Sequence, residues 1–131
     1  MNDAHERGRR WIWWGSALWL ASVVVIIVLA DLGRLKPIYT ILTAYPGSDK
    51  VGHFVLIGGV AFFMNLLLRC REWRGWLVGS VVVGTLATLE EFSQLSMSTR
   101  TFDLLDLTAD FAGIFFFGWL ANRLLRPRPQ V

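Results

Sequence analysis

From Leu18 to Ala30 the chain carries no charged residue, and three further apolar blocks follow, at about 49–68, 75–95 and 103–125. About 20 mostly apolar residues are needed to cross the hydrocarbon layer as a helix. Inside that layer each backbone N–H and C=O must find a partner within the protein, so an apolar block of this length is predicted to be helical. The expected fold class is all-α: an integral membrane four-helix bundle, with spans at about 11–30, 49–68, 75–95 and 103–125. Residues 1–10 form a tail, 126–131 a second, basic tail, and nothing is left over for a soluble domain. Composition agrees, since 54% of the residues are hydrophobic and 18% are charged, whereas a soluble domain carries about 25% charge.

The start of the chain also fits a secretory signal, with Arg7, Arg9 and Arg10 ahead of the apolar run and Val28-Leu29-Ala30 before Asp31. The apolar run exceeds the usual signal core of about 7–15 residues, so helix 1 is read as a retained span. Asp31 to Lys50 is predicted to be a loop, broken by Gly33, Pro37, Pro46 and Gly47, with one interfacial turn at Tyr39–Leu42. Ser48 or Asp49 is expected to cap helix 2. A short charged connection, Arg69 to Arg74, leads to helix 3. There Gly75, Gly79, Ser80 and Gly84 make a small-residue face that lets a neighbouring backbone approach. Ala109 and Gly113 do the same on helix 4. Pro127 and Pro129 break the basic tail.

Orientation follows from the cations. Arg7, Arg9, Arg10, Arg69, Arg71, Arg74, Arg123, Arg126 and Arg128 fall on one side, while Arg34, Lys36, Lys50 and Arg100 fall on the other. Short flanks rich in Lys and Arg stay inside, so both termini are predicted to be cytoplasmic. All seven Trp fall on the same inner side, as an interfacial belt would, and Tyr39 and Tyr45 fall on the outer side. Because the arginines flank apolar segments, no nucleic-acid partner is expected; membrane lipids are. With one cysteine, Cys70, no internal disulfide can form.

The outer helix ends are unusually polar. Helix 2 opens with Asp49-Lys50-Val51-Gly52-His53, helix 3 closes with Glu90-Glu91-Phe92-Ser93-Gln94, Arg100 follows, and helix 4 opens with Asp103, Asp106 and Asp110. Asp49 and His53 share a helix face, as do Glu91 and Gln94, and the three aspartates form one stripe. Asp110 lies about 10 Å along the helix from Asp103, at or below the hydrocarbon boundary. A buried charge at that depth is costly and marks a functional hypothesis. Asp49 and Asp103 also have a plain reading as helix caps, Glu90 as a head-group-facing acid, Arg100 as a structural counter-charge and His53 as a packing residue. Clustered acids suit general acid–base chemistry, with Glu91, Asp110 and His53 the candidates. Arg100 suits an anion clamp. No spacing matches a known zinc motif, so no metal or other cofactor is expected. A proton or ion path lacks a relay to the other side, and a docking site for a cationic or amide-rich ligand fits the acids.

These residues resemble the VanZ-like family over roughly residues 45–120. Asp49-Lys50-x-x-His53 resembles its DKxxH, and Glu91-x-x-Gln94, Arg100 and Asp106 resemble its ExxQ…R…D pattern. The family then has an Asn and a Gly; here Asp110 stands at the Asn position and Gly113 follows. The resemblance implies a small multi-pass protein of the bacterial cytoplasmic membrane, with a ligand-binding set of Asp49, Lys50, His53, Glu91, Gln94, Arg100, Asp106 and Asp110. It also implies an effect on susceptibility to the lipoglycopeptide teicoplanin. The partner would be a lipid-linked cell-wall precursor or the lipoglycopeptide itself. Without a nucleophile motif three roles stay open: an outer-face binding protein, an enzyme acting on a lipid head group, and a structural or assembly subunit. No sequence feature selects an oligomeric state.

Overall fold

A computed structural model describes residues 3–42, 44–96 and 102–125. Arg100 and the tail 126–131 lie outside the described residues, as do the side chains of Arg7, Arg9 and Tyr39. The chain is mostly helical, in the order α1 (Asp3–Asp31), α2 (Lys36–Leu42), α3 (Ser48–Leu67), α4 (Val78–Ser93) and α5 (Leu104–Leu125), with a two-stranded hairpin (β1, Glu72–Trp73; β2, Trp76–Leu77) before α4 and a 3-10 turn, Gln94–Ser96, after it.

Three of these helices are long and apolar enough to cross a membrane: Arg10–Ala30 of α1, α3, and α5. The first span agrees with the expected 11–30, and its helix extends back to Asp3. The expected third span, about 75–95, is where sequence and structure differ most. Its helix has 16 residues, about 24 Å of rise. Arg74 (φ 51°) and Gly75 (φ 83°) both adopt the left-handed region, and the register Trp73↔Trp76 makes them the two central residues of a hairpin turn. Gly75 is therefore a turn residue and not part of a helix face, and the strands depart from the all-α expectation. The connection Asp31–Lys50 also holds more helix than expected, α2 extending over seven residues.

Small residues set how closely the helices meet. The most extensive contact is α3 against α5. A Cβ on Gly113 would meet the carbonyl oxygen of Phe54, and one on Gly58 would meet Phe117 and the Gly113 backbone. Backbone thus lies on backbone at this crossing, as small residues allow. On α4, Gly79 sits against Asn65 and Gly84 against Phe111. Asn65 is wholly buried; its amide donates to Ser80 Oγ at 2.9 Å and accepts from the Ser80 N–H at 3.2 Å. One side chain thereby ties α3 to α4 at the end where the hairpin lies. On the opposite side of α3, α1 packs through Trp19, whose indole N–H donates to the Leu56 carbonyl at 3.1 Å and whose ring fills the space over Gly59.

The remaining surface is apolar. On α1 Leu18, Val24, Val25 and Val28 are exposed, and on α5 Leu104, Leu105, Phe115 and Phe116 are. A soluble monomer rarely exposes apolar patches this continuous; a helix facing hydrocarbon does so at no cost. Exposed tryptophans collect at the hairpin end, where Arg74 lies 5.7 Å from the Trp73 ring and Arg123 lies 5.5 Å from the Trp119 ring.

Candidate functional site

Consecutive long helices run antiparallel, so the first turns of α3 and α5 and the last turn of α4 gather at the end opposite the hairpin. Gly47, in the left-handed region (φ 83°), is the cap position of α3 and supplies no side chain. Ser48 and Asp49 follow it in the first turn: the Ser48 hydroxyl donates to the Tyr45 carbonyl at 3.0 Å, and Asp49 faces Lys50. Asp103 does cap α5, its Oδ1 accepting the Leu105 N–H at 2.8 Å.

Lys50 is the centre of the first cluster. Its Nζ lies 2.9 Å from Asp49 Oδ2, 2.7 Å from Asp103 Oδ2 and 2.6 Å from Asp106 Oδ1. An ammonium has three N–H donors, and each has a carboxylate. The Lys50 hydrogen bond holds the Asp103 carboxyl below its ordinary pKa, with the Leu105 N–H acting in the same direction. Asp49 and Asp103 sit beside the cation, and Asp106, one turn deeper on α5, is nearly buried.

His53 is the centre of the second. Its Nδ1 lies 3.0 Å from Asp110 Oδ1 and its Nε2 lies 3.7 Å from Asp106 Oδ2. Asp110 is 1% exposed. Asp106 belongs to both clusters, so Asp49, Lys50, Asp103, Asp106, His53 and Asp110 make one network joining α3 to α5. The stripe expected of Asp103, Asp106 and Asp110 faces α3 along its whole length. Both ring nitrogens of His53 thus face carboxylates, Nδ1 toward Asp110 and Nε2 toward Asp106, which fixes the ring's orientation.

Glu91 plays a different part. It is 0% exposed, and both of its oxygens are engaged: Oε1 accepts the Asp103 N–H at 2.8 Å and Oε2 accepts from Gln94 Nε2 at 3.2 Å. Gln94 also donates to Glu90, at 3.1 and 3.2 Å to its two oxygens. The buried acid of α4 therefore anchors the backbone that starts α5, a structural use that the sequence pattern does not reveal. Among the described residues every buried side-chain nitrogen and oxygen has a hydrogen-bond partner, and no three His, Cys, Asp or Glu side chains are placed to hold a metal ion.

Beside the network lies a cavity of about 320 Å³. Its walls come from α1 (Val23, Ile26, Ile27), α2 (Ile38) and α3 (Leu56, Ile57), and its polar end from Asp49, His53 and Glu90. Asp49, Gly52, His53 and Leu56 follow one another at helical spacing on the face of α3 turned to it. Sequence reading missed this cavity, because α1 carries no polar residue that marks its contribution, and it missed Asn65, the buried amide in the apolar interior of α3. Comparison of the chain with protein-family models, with curated proteins and with solved structures finds no match.

Proposed function

We propose that the chain is a VanZ-like multi-pass protein of the bacterial cytoplasmic membrane that binds a lipid-linked envelope component at the outer face. In this reading α4, extended by the 3-10 turn, is the fourth crossing, and both termini are cytoplasmic. The observation that carries the proposal is the network of Lys50, His53, Asp106 and Asp110, held between apolar helices and open at His53 and Asp49 to a cavity with apolar walls. Charged groups within spanning helices are costly, and they persist where they serve a ligand. A lipid with a polar head matches a cavity that is apolar along its length and polar at one end.

Wild type expressed in a teicoplanin-sensitive Gram-positive host is expected to raise tolerance to teicoplanin more than to vancomycin. His53→Asn and Arg100→Ala, at matched abundance, are expected to abolish the effect. A well-inserted wild type that leaves teicoplanin susceptibility unchanged would defeat the reading.

An enzymatic reading has one specific observation behind it. His53 is oriented by a buried carboxylate at 3.0 Å, as a general base is. Asp110→Asn separates the two readings, since it keeps the side chain's shape and removes the charge. A binding protein retains its effect with Asn at position 110; an acid–base enzyme loses it.

A further inference from the structure

Resting on the outer-face reading above, we infer that the cavity between α1, α2 and α3 holds a membrane lipid whose head group ends in a primary ammonium, with the ammonium at Asp49, His53 and Glu90 and the chain against α1. Charge complementarity carries the choice. Six carboxylates (Asp49, Glu90, Glu91, Asp103, Asp106 and Asp110) gather at this end, and three of them share the single ammonium of Lys50. An imidazolium at His53 and the guanidinium of Arg100 would still leave the group negative. Asp49 and Glu90, from different helices, both reach the cavity. An anionic head group would meet repulsion there, whereas an ammonium donates charge-assisted hydrogen bonds to carboxylates. The other end of the ligand is equally constrained, because Val23, Ile26, Ile27 and Leu56 offer nothing polar. Arg34 and Lys36, which flank the lining residue Leu35 and are exposed, are the cations that would take the phosphate of such a lipid.

Gly52 supplies the decisive variant. It lines the cavity, and a Cβ there meets nothing within 4 Å. Gly52→Leu therefore starts from open space at its Cβ, extends its side chain on the cavity-lining face, and raises helix propensity.

The test uses the full chain in nanodiscs made with equal amounts of phosphatidylethanolamine and phosphatidylglycerol of identical acyl chains. The protein is then released and read by native mass spectrometry. The expected result is phosphatidylethanolamine retained over phosphatidylglycerol by about tenfold, the ratio that one charge-assisted hydrogen bond supplies. Gly52→Leu should abolish that retention, and Asp49→Asn with Glu90→Gln should remove the preference. Equal retention of the two lipids, or retention that Gly52→Leu leaves untouched, overturns the inference. Preferential retention of phosphatidylglycerol, lost in Gly52→Leu, also overturns it while leaving the lipid-binding function in place. Retention of phosphatidylethanolamine as expected by a protein that gives no teicoplanin protection would uphold the lipid site and remove the antibiotic-linked reading.

Discussion

Glu91 and Lys50 show how much one side chain holds at the polar end. Glu91→Leu strips the acceptor from both the Asp103 N–H and the Gln94 amide. Each donor left unsatisfied in a buried place costs about 1–3 kcal/mol, so thermal unfolding in detergent should show a clear loss. Glu91→Gln keeps an oxygen for the Asp103 N–H and should lose much less. Lys50→Met leaves Asp49, Asp103 and Asp106 facing one another without their shared cation. The pH dependence has a definite sign. Since Asp103 has a depressed pKa in the folded protein, its contribution is present above the ordinary carboxylate value, about 3.9, and is lost as pH falls through the folded value. Wild type should therefore lose stability on acidification below about pH 4. Lys50→Met, followed in the same melts, should show a weaker acid limb, because only the Leu105 N–H is left to hold the Asp103 carboxyl down. At this scale the residue types of the site were readable, because acids in an apolar helix are conspicuous. The partners were not. Asp49 and Lys50 are adjacent in sequence, but that Asp103 and Asp106 close on the same ammonium depends on how α3 and α5 pack.

Among the elements, the ends of α3 and α5 were readable to within a residue or so, because apolar blocks between charged flanks have sharp edges. α4 was not. The run from Gly75 is as apolar as a helix start, and only the positive φ of Arg74 and Gly75 turns it into a hairpin. A two-residue strand leaves no alternation to read. The small-residue face on α4 was visible as a pattern, yet its partners, Asn65 for Gly79 and Phe111 for Gly84, come from tertiary packing. Two glycines of the same helix pair make a direct comparison. Gly113→Ala sets a methyl group against the Phe54 carbonyl where α3 and α5 cross. The helices must separate, and overpacking of this kind costs about 1–3 kcal/mol, more than the helix-propensity gain of about 1 kcal/mol. Gly52→Ala meets open space and keeps only the gain. The expected order of melting temperatures is Gly52→Ala at or above wild type and Gly113→Ala clearly below it. The reverse order would mean that the α3–α5 crossing is not as close as described.

For the whole molecule the decisive matter is the number of crossings. Three helices meet the length of a span by themselves, and three crossings would put the two termini on opposite sides. The proposed orientation has them on the same side, because Arg7, Arg9 and Arg10 at one terminus and Arg123, Arg126 and Arg128 at the other make both flanks rich in cations. α4 resolves the conflict if it crosses. Its 16 residues rise about 24 Å, short of the roughly 30 Å hydrocarbon layer, and the 3-10 turn Gln94–Ser96 adds rise at the polar end. A modest mismatch is met by local thinning of the bilayer, at fractions of a kcal/mol per Å. Leaving one terminus's three arginines outside opposes the positive-inside bias. The exposed tryptophans of the hairpin, with Arg74 beside Trp73, suit the interfacial position that the four-crossing proposal gives that connection. Reporter fusions that are active only in the cytoplasm should therefore succeed at both the N- and the C-terminus, and a cysteine introduced at Tyr45 should react with a membrane-impermeant maleimide in intact cells while native Cys70 does not. A C-terminal reporter that works only outside would instead mean three crossings, which would set the first turns of α3 and α5 on opposite faces and break the contacts of Lys50 with Asp103 and Asp106.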